Sequence, residues 1–517
     1  MAISNSIKGF KPETNYDLLK KADELMPKLI KRGILPKDSV RAILGGTEKT
    51  LTLSQLEATA LTKGDTIYLD FGEHLVGYFG IDLKTADVPA DAPAYLRIKF
   101  AEQTEEFLEN CADYNGQLSS SWLQEEKIHI DEIPSRLDMP RRYAFRYVEI
   151  EVLDTSPCYK LSLFGAKAMA VSCGDLDMVE KFPLADSELE EIERLSLITM
   201  RECMQEVVED GPKRDRRLWI GDLRLAAMIN GSTFKNNDII KRCIYLFAAL
   251  RVNRGRVGAC LYVKPEYAVG DVALFDYSLF FVSCLYDYYM STGDKEILAE
   301  LWDVAYRQIE LSCERLGEND VVEDSDDWWS FIDWNDDLNK QAPSQAVFIY
   351  TVKQAICIAK ELGDNEKLSE LEKLCDRLTF ASRKHLWDEE KGFFVSGAKR
   401  QVSWATQVWF ILAGVTDKEE SRRLVEKLNS EKPEVGMVTP YMYHHYVEAL
   451  FECGMKDEAL GVIREYWGEM VKDGANAFYE IYNPKDKAFS PYGSKAINSY
   501  CHAWSATPVY LFRKYLI

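Results

Sequence analysis

One short connection recurs through the second half of the chain: TGDKE at 292, LGDNE at 362, GVTDKEE at 414 and GMKDEA at 454. Each stands between two runs whose apolar residues recur at helical spacing. A glycine just past a helix accepts the left-handed backbone that ends it, and an aspartate offers the side-chain oxygen that caps the next. Connections this short join antiparallel helix pairs. The helical period begins near residue 184, with SELEEIERLSLITMRECMQEV, and persists to NSYCHAWSATPVYLFRKYL. Roughly a dozen helices taken in pairs point to an (α/α)6 toroid rather than a four-helix bundle. The unequal spacing of the connections argues against an open solenoid.

The first third has another rhythm. Between about residues 45 and 172 the segments are short and β-rich, among them DTIYLDFG, VGYFGIDL, AYLRIKFAEQ and YAFRYVEIEVLD. Their alternation and intervening turn residues predict an antiparallel β-sandwich. Ahead of it, NYDLLKKADELMPKLIKRG reads as one amphipathic helix closed by Gly33. At 517 residues two domains are the natural expectation. The division expected is an N-terminal helical or extended segment over 1–45, a sandwich over 46–175 and an (α/α)6 catalytic domain over 176–517.

Charge narrows the partners. With 63 Lys and Arg against 84 Asp and Glu the net charge is −21, which argues against nucleic acid and anionic membrane surfaces. A neutral small molecule fits. No run of about 18 apolar residues exists, so no membrane-spanning helix is expected. The first residues carry no apolar stretch of signal-peptide length. The 12 cysteines are scattered without a CxxC pair, many within apolar helical runs, as reduced core residues of a cytoplasmic protein would be.

Three loop segments concentrate chemistry. EDGPKRDRRLWIGD, residues 209–222, packs four acids and four cations around Gly211, Pro212 and Trp219. Carboxylates ordered by arginine suit a polyol, and a tryptophan face suits its C–H edge; a surface ion-pair cluster is the plainer alternative. DSDDWWSFIDWNDD, residues 324–337, interleaves tryptophans with acids as a sugar pocket would, or as an acidic calcium loop without EF-hand spacing. DGANAFYEIYNP sets Glu480 among aromatics, where it is either a helix cap or the carboxylate facing the first cluster. His502 in CHAWS is either a hydroxyl contact or a satisfied core histidine. Nucleotide, P-loop, serine-hydrolase and HExxH motifs are absent, and the adjacent His444 and His445 would point about 100° apart on a helix, so no cofactor and no metal are expected.

At these residues the chain resembles the bacterial α-L-rhamnosidases of glycoside hydrolase family 78. The family's loop, D-x-P-x-R-[DE]-x-R followed by W-x-G-D, is matched at Asp210–Asp222. DYSLFFVSCLYDYYMSTGD, FIDW, TPYMYHHYVEAL, GANAFYE and HAWS follow in the family's order. The resemblance implies an inverting exo-glycosidase that removes terminal α-L-rhamnosyl or related deoxy-sugar residues. It implies Asp215 as general acid and Glu480 as general base. It implies Asp210, Arg214, Trp219, Asp222, Asp276, Trp329, Asp333, Trp334, His502 and Trp504 as sugar contacts. Inversion calls for carboxyl groups about 6.5–9.5 Å apart. Because Asp215 stands between Arg214 and Arg216, an acid role requires those guanidiniums to turn to other partners. Two other readings compete: a further (α/α)6 carbohydrate enzyme such as an unsaturated-uronyl hydrolase, whose uronate the arginine run would bind, and a non-catalytic sugar-binding protein.

Overall fold

The computed structural model describes residues 7, 9–184, 186–487 and 489–516. Among them, nine strands between Ile30 and Ser172 form one antiparallel sheet. It is organised by the 20-residue strand Thr66–Thr85, which pairs with Val40–Leu44, Ser135–Asp138, Tyr143–Asp154 and Leu161–Ser172. Register breaks between Asp70 and Leu75 and between Phe164 and Lys167 bend the sheet back on itself. The fold encloses a core that includes Leu69, Phe79, Ile81, Phe100, Phe145 and Val148. Gly72, at φ 87°, lies within the first break. DTIYLDFG and VGYFGIDL are thus halves of one interrupted strand rather than two strands joined by a turn.

The single helix expected before the sheet is divided. Asn15 caps a helix that runs only Tyr16–Glu24, and Pro27 follows, whose ring and missing N–H oppose continuation. Ile30–Ile34 is instead a strand on Leu161–Ser172, so Gly33 sits within the sheet. The helix Tyr16–Glu24 packs on Asn237–Ala249, and Pro12–Thr14 pairs with Leu250–Val252, so this segment covers the helical domain.

Twelve helices follow among the described residues, from Ser187–Cys203 to Pro508–Tyr515. Six form an inner ring in which each touches the next: Ile220–Ser232, Phe275–Thr292, Gln341–Leu362, Trp404–Leu412, Pro440–Glu452 and Pro508–Tyr515, the last returning to the first. The remaining six pack outside them. Phe275–Thr292 is buried along most of its length, whereas outer helices such as Lys418–Glu431 bury one stripe only. Gly293 and Gly363 take left-handed backbone at the ends of inner helices, and Asp294, Asp364 and Asp417 cap the outer ones. At GMKDEA the cap residue is Met455, and Asp457 lies in the first turn.

The two domains join through buried charge. Lys213 Nζ, in a side chain 1% exposed, pairs with Glu106 of the sheet domain, lies 3.8 Å from Glu102 and donates to the Asn498 carbonyl at 2.9 Å. Arg142 donates to both oxygens of Glu209 at 2.9 and 2.7 Å. Breaking one partner from a buried pair leaves an uncompensated charge and typically costs about 3–5 kcal/mol. Lys213→Met should therefore lower the unfolding free energy by about that much, read by urea denaturation. The exposed helical pair Arg422–Glu426 sets the scale: Arg422→Ala should cost no more than about 0.5 kcal/mol.

Candidate active site

The segments preceding four of the inner helices, those beginning at Ile220, Phe275, Gln341 and Pro508, converge on one cavity. The loop after Ser187–Cys203 carries Asp210–Trp219 into the first turn of Ile220–Ser232, where Asp222 sits. The segment before Gln341–Leu362 carries Trp329–Lys340, and the long segment before Pro508–Tyr515 carries Glu480, Tyr492, His502 and Trp504. A cavity of about 460 Å³ opens between them. It is lined by Asp210, Arg214, Asp215, Trp219, Asp222, Trp329, Asp333, Trp334, Glu480, His502 and Trp504, all read from the sequence as site residues.

Glu480 is held on both oxygens. Arg214 Nη2 donates to Oε2 and Tyr492 Oη donates to Oε1 at 2.7 Å. Arg214 is itself fixed by its Nε bond to the Ile497 carbonyl at 2.8 Å and by stacking 4.2 Å over the Tyr492 ring. Burial pushes the Glu480 carboxyl above the usual range, with the Arg214 charge and the Tyr492 hydroxyl pulling the other way. Arg214 is thus engaged with the carboxylate across from it.

The loop around Asp215 resolves its crowd of cations. Arg216 turns away, donating to the carbonyls of Lys213 at 3.2 Å and Arg142 at 3.1 Å. The nearest cationic nitrogens to Asp215 are Arg214 Nη1 at 3.8 Å and Arg217 Nη1 at 3.7 Å, beyond hydrogen-bonding reach. Arg217 spends its planar face on Tyr262, 4.6 Å from the ring centre. With its side chain 24% exposed, Asp215 is more open than Asp210, Asp222 or Glu480.

Asp210 and Asp222 form the buried side. Burial first, then neighbouring carboxylates, push both well above the usual carboxylate range, which favours the protonated form of each. Burial pushes His502 well below its ordinary value, leaving it neutral. Asp222 Oδ1 and His502 Nδ1 lie 3.4 Å apart, and among the described residues neither has a hydrogen-bond partner, nor does Trp329 Nε1. Buried polar atoms of native proteins are rarely left unpaired, and three such atoms belong to residues that line this one cavity.

Two expected sugar contacts have other work. Asp276 does not line the cavity: it is fully buried, and its carboxylate accepts the backbone N–H groups of Phe331, Ile332 and Tyr277 at 2.8–3.1 Å. It knits the tryptophan loop to the start of Phe275–Thr292. Asp333 reaches the wall, but its oxygens receive Trp334, Val438 and Thr439 N–H groups and the Thr439 hydroxyl. Trp504 donates its indole N–H to the Glu480 carbonyl at 2.9 Å, leaving its ring face against His502 and Phe331.

Other lining residues went unread in the sequence. Tyr492 in SPYGS has no periodicity or motif to mark it. Lys340, whose ammonium lies 5.0 Å over the Trp329 ring, looks like any helix-start lysine. Gln117, Leu118 and Trp122 come from the sheet domain, which no local signal joins to this cavity. No cluster of three metal-ligating side chains occurs among the described residues, and no helix there is long and apolar enough to cross a membrane.

The family model of the glycosyl hydrolase family 78 α-rhamnosidase N-terminal domain matches residues 35–170, and that of the bacterial α-L-rhamnosidase 6 hairpin glycosidase domain matches residues 177–516. A solved rhamnosidase from Klebsiella oxytoca with rhamnose bound is 43% identical at a TM-score of 0.94, over 98% of this chain and 100% of that one. The family 78 rhamnosidase of Bacillus sp. GL1 is 21% identical at a TM-score of 0.71, over 87% of this chain and 46% of that one. The α-L-rhamnosidase of Streptomyces avermitilis complexed with L-rhamnose is 16% identical at a TM-score of 0.68, over 94% and 44%. These last two show the common fold, and the chain spans less than half their length. No curated protein sequence matches significantly. On the family models and the Klebsiella structure together, the chain belongs to the bacterial α-L-rhamnosidases of glycoside hydrolase family 78.

Proposed function

We propose that this chain hydrolyses terminal α-L-rhamnosides with inversion, Asp215 protonating the leaving oxygen and Glu480 activating water. The observation that carries this is the pairing, in one cavity, of an open carboxyl on the signature loop with a buried carboxylate held on both oxygens. Inverting hydrolysis needs two carboxyl groups in different environments, one giving a proton and one taking it. Glu480 fits the base: its raised proton affinity strengthens it, and Arg214 and Tyr492 fix its orientation. Asp215, the more solvent-facing of the two, fits the acid at the side from which the leaving group departs. Asp222, His502 and Trp329 offer hydrogen bonds to hydroxyls of the sugar, with Trp219 offering a ring face.

The engagement of Arg214 with Glu480 and of Arg216 with backbone carbonyls removes two of the arginines that the unsaturated-uronyl reading would use for the uronate. We further propose a cytoplasmic setting, supported by twelve free cysteines, eight of them buried.

Asp215→Asn and Glu480→Gln should each lower turnover of p-nitrophenyl α-L-rhamnopyranoside by at least about a hundredfold, without change in the far-UV circular dichroism. Proton NMR of the early reaction should show the β anomer of rhamnose first; the α anomer appearing first would require retention. The pH profile follows from Glu480. A base must be ionised, and a raised pKa means ionisation is lost at higher pH as acid is added. The acid limb of kcat/KM should therefore lie above the ordinary glutamate range. Tyr492→Phe removes a donor that holds that pKa down, so the limb should move to still higher pH, with kcat lowered by roughly tenfold.

A further inference from the structure

Resting on the rhamnosidase reading, we infer that the sheet-domain segment 102–124 builds the leaving-group subsite, and that Trp122 with Leu118 selects a flat, apolar aglycone. This segment links two sheet strands, yet it lines the catalytic cavity through Gln117, Leu118 and Trp122. Burial orders the cavity from inside outward. Asp210, Asp222 and His502, each at most 5% exposed, lie at its closed end. Asp215 is partly open, while Trp122 is half-buried and Gln117 exposed. An exo-acting pocket seats the terminal sugar at the closed end, so the leaving group must occupy the mouth, where the sheet-domain residues stand.

The platform is firmly seated. The Glu109 carboxylate binds the Ser494 hydroxyl and the N–H groups of Lys495 and Ala496. Gln117 N–H donates to the Tyr492 carbonyl at 3.1 Å, and Tyr114 Oη donates to the Leu118 carbonyl at 3.0 Å. Leu123 is buried with Tyr492, Ala496 and Ile497, and Trp122, Leu118 and Trp334 pack against that small core. A rigid indole in such a place offers ring stacking without an ordering cost at binding. Beside Trp122 and Leu118 the segment contributes to the cavity a single hydrogen-bonding side chain, Gln117. A second sugar would need several, so an aryl aglycone suits this wall better.

The test compares p-nitrophenyl, methyl and glucosyl α-L-rhamnosides in wild type, Trp122→Ala, Trp122→Phe and Leu118→Ala. Trp122→Ala should lower kcat/KM for the aryl substrate by roughly tenfold, with at most about a twofold loss on the methyl glycoside and the same inhibition constant for free L-rhamnose. Trp122→Phe should restore most of the aryl activity, which a variant that merely misfolds would not permit; Leu118→Ala should show a smaller loss of the same selectivity. Equal losses on aryl and methyl substrates, or a larger loss on the disaccharide, would overturn the inference while leaving rhamnosidase activity standing. If the wild type turns over no rhamnoside, the proposed function fails separately, and the affinities of Asp215→Asn for aryl and methyl rhamnoside decide this one: no preference for the aryl compound overturns it.

Discussion

The buried cation of Lys213 is the joint on which the site depends. It belongs to the signature loop of the helical domain, yet its counter-charges, Glu106 and Glu102, come from the sheet domain. Glu102 also accepts the Tyr500 N–H at 2.8 Å and a bond from His74, and Lys213 reaches the Asn498 carbonyl. One knot of charge thus fixes the loop bearing Asp215 and the segment bearing Glu480 relative to each other. Neither loop has regular secondary structure to hold it, and catalysis tolerates little displacement of opposed groups. The sheet domain thus helps to hold the loops of the cavity and contributes to its wall.

The density of charge in residues 209–217 follows from this double duty. Its cations face in separate directions: Lys213 and Arg216 toward the sheet domain, Arg214 toward Glu480, Arg217 toward Tyr262. Lys213, Arg214 and Arg216 are satisfied by partners far away in the sequence, so the run is not a solvated surface. What it leaves in the cavity wall is a carboxyl with cations near but not bonded to it, in the same cavity as a carboxylate that is bonded on both oxygens.

That loop was legible in the sequence because charges packed around Gly-Pro have no ordinary role in a helix or strand, and the ring of helices was legible because glycine and aspartate punctuate it. Asp276 shows the limit. An acid in the first turn of a helix reads the same whether it faces a cavity or binds the backbone of a neighbouring loop; only the position of Phe331 and Ile332 decides. Tyr492 and Trp122 were hidden for a related reason, since their roles exist only once distant segments meet. The helix expected through Gly33 failed locally: Pro27 lies inside an otherwise convincing amphipathic pattern, and an open sheet edge offered the residues beyond it a ladder of hydrogen bonds.

The ring has two unlike ends. Four of the six inner helices, those beginning at Ile220, Phe275, Gln341 and Pro508, start beside the cavity, and those ending at Gly293 and Gly363 turn at once into capped hairpins. Loop length at the cavity end is free to vary without disturbing helix pairing, because the turns that set that pairing lie a full helix length away. An architecture of this kind separates inheritance of the scaffold from inheritance of the substrate. Grafted or lengthened segments at the cavity mouth would redraw what the enzyme accepts, and the same insertions placed between Gly293 and Asp294 would instead pry apart an inner helix and its outer mate.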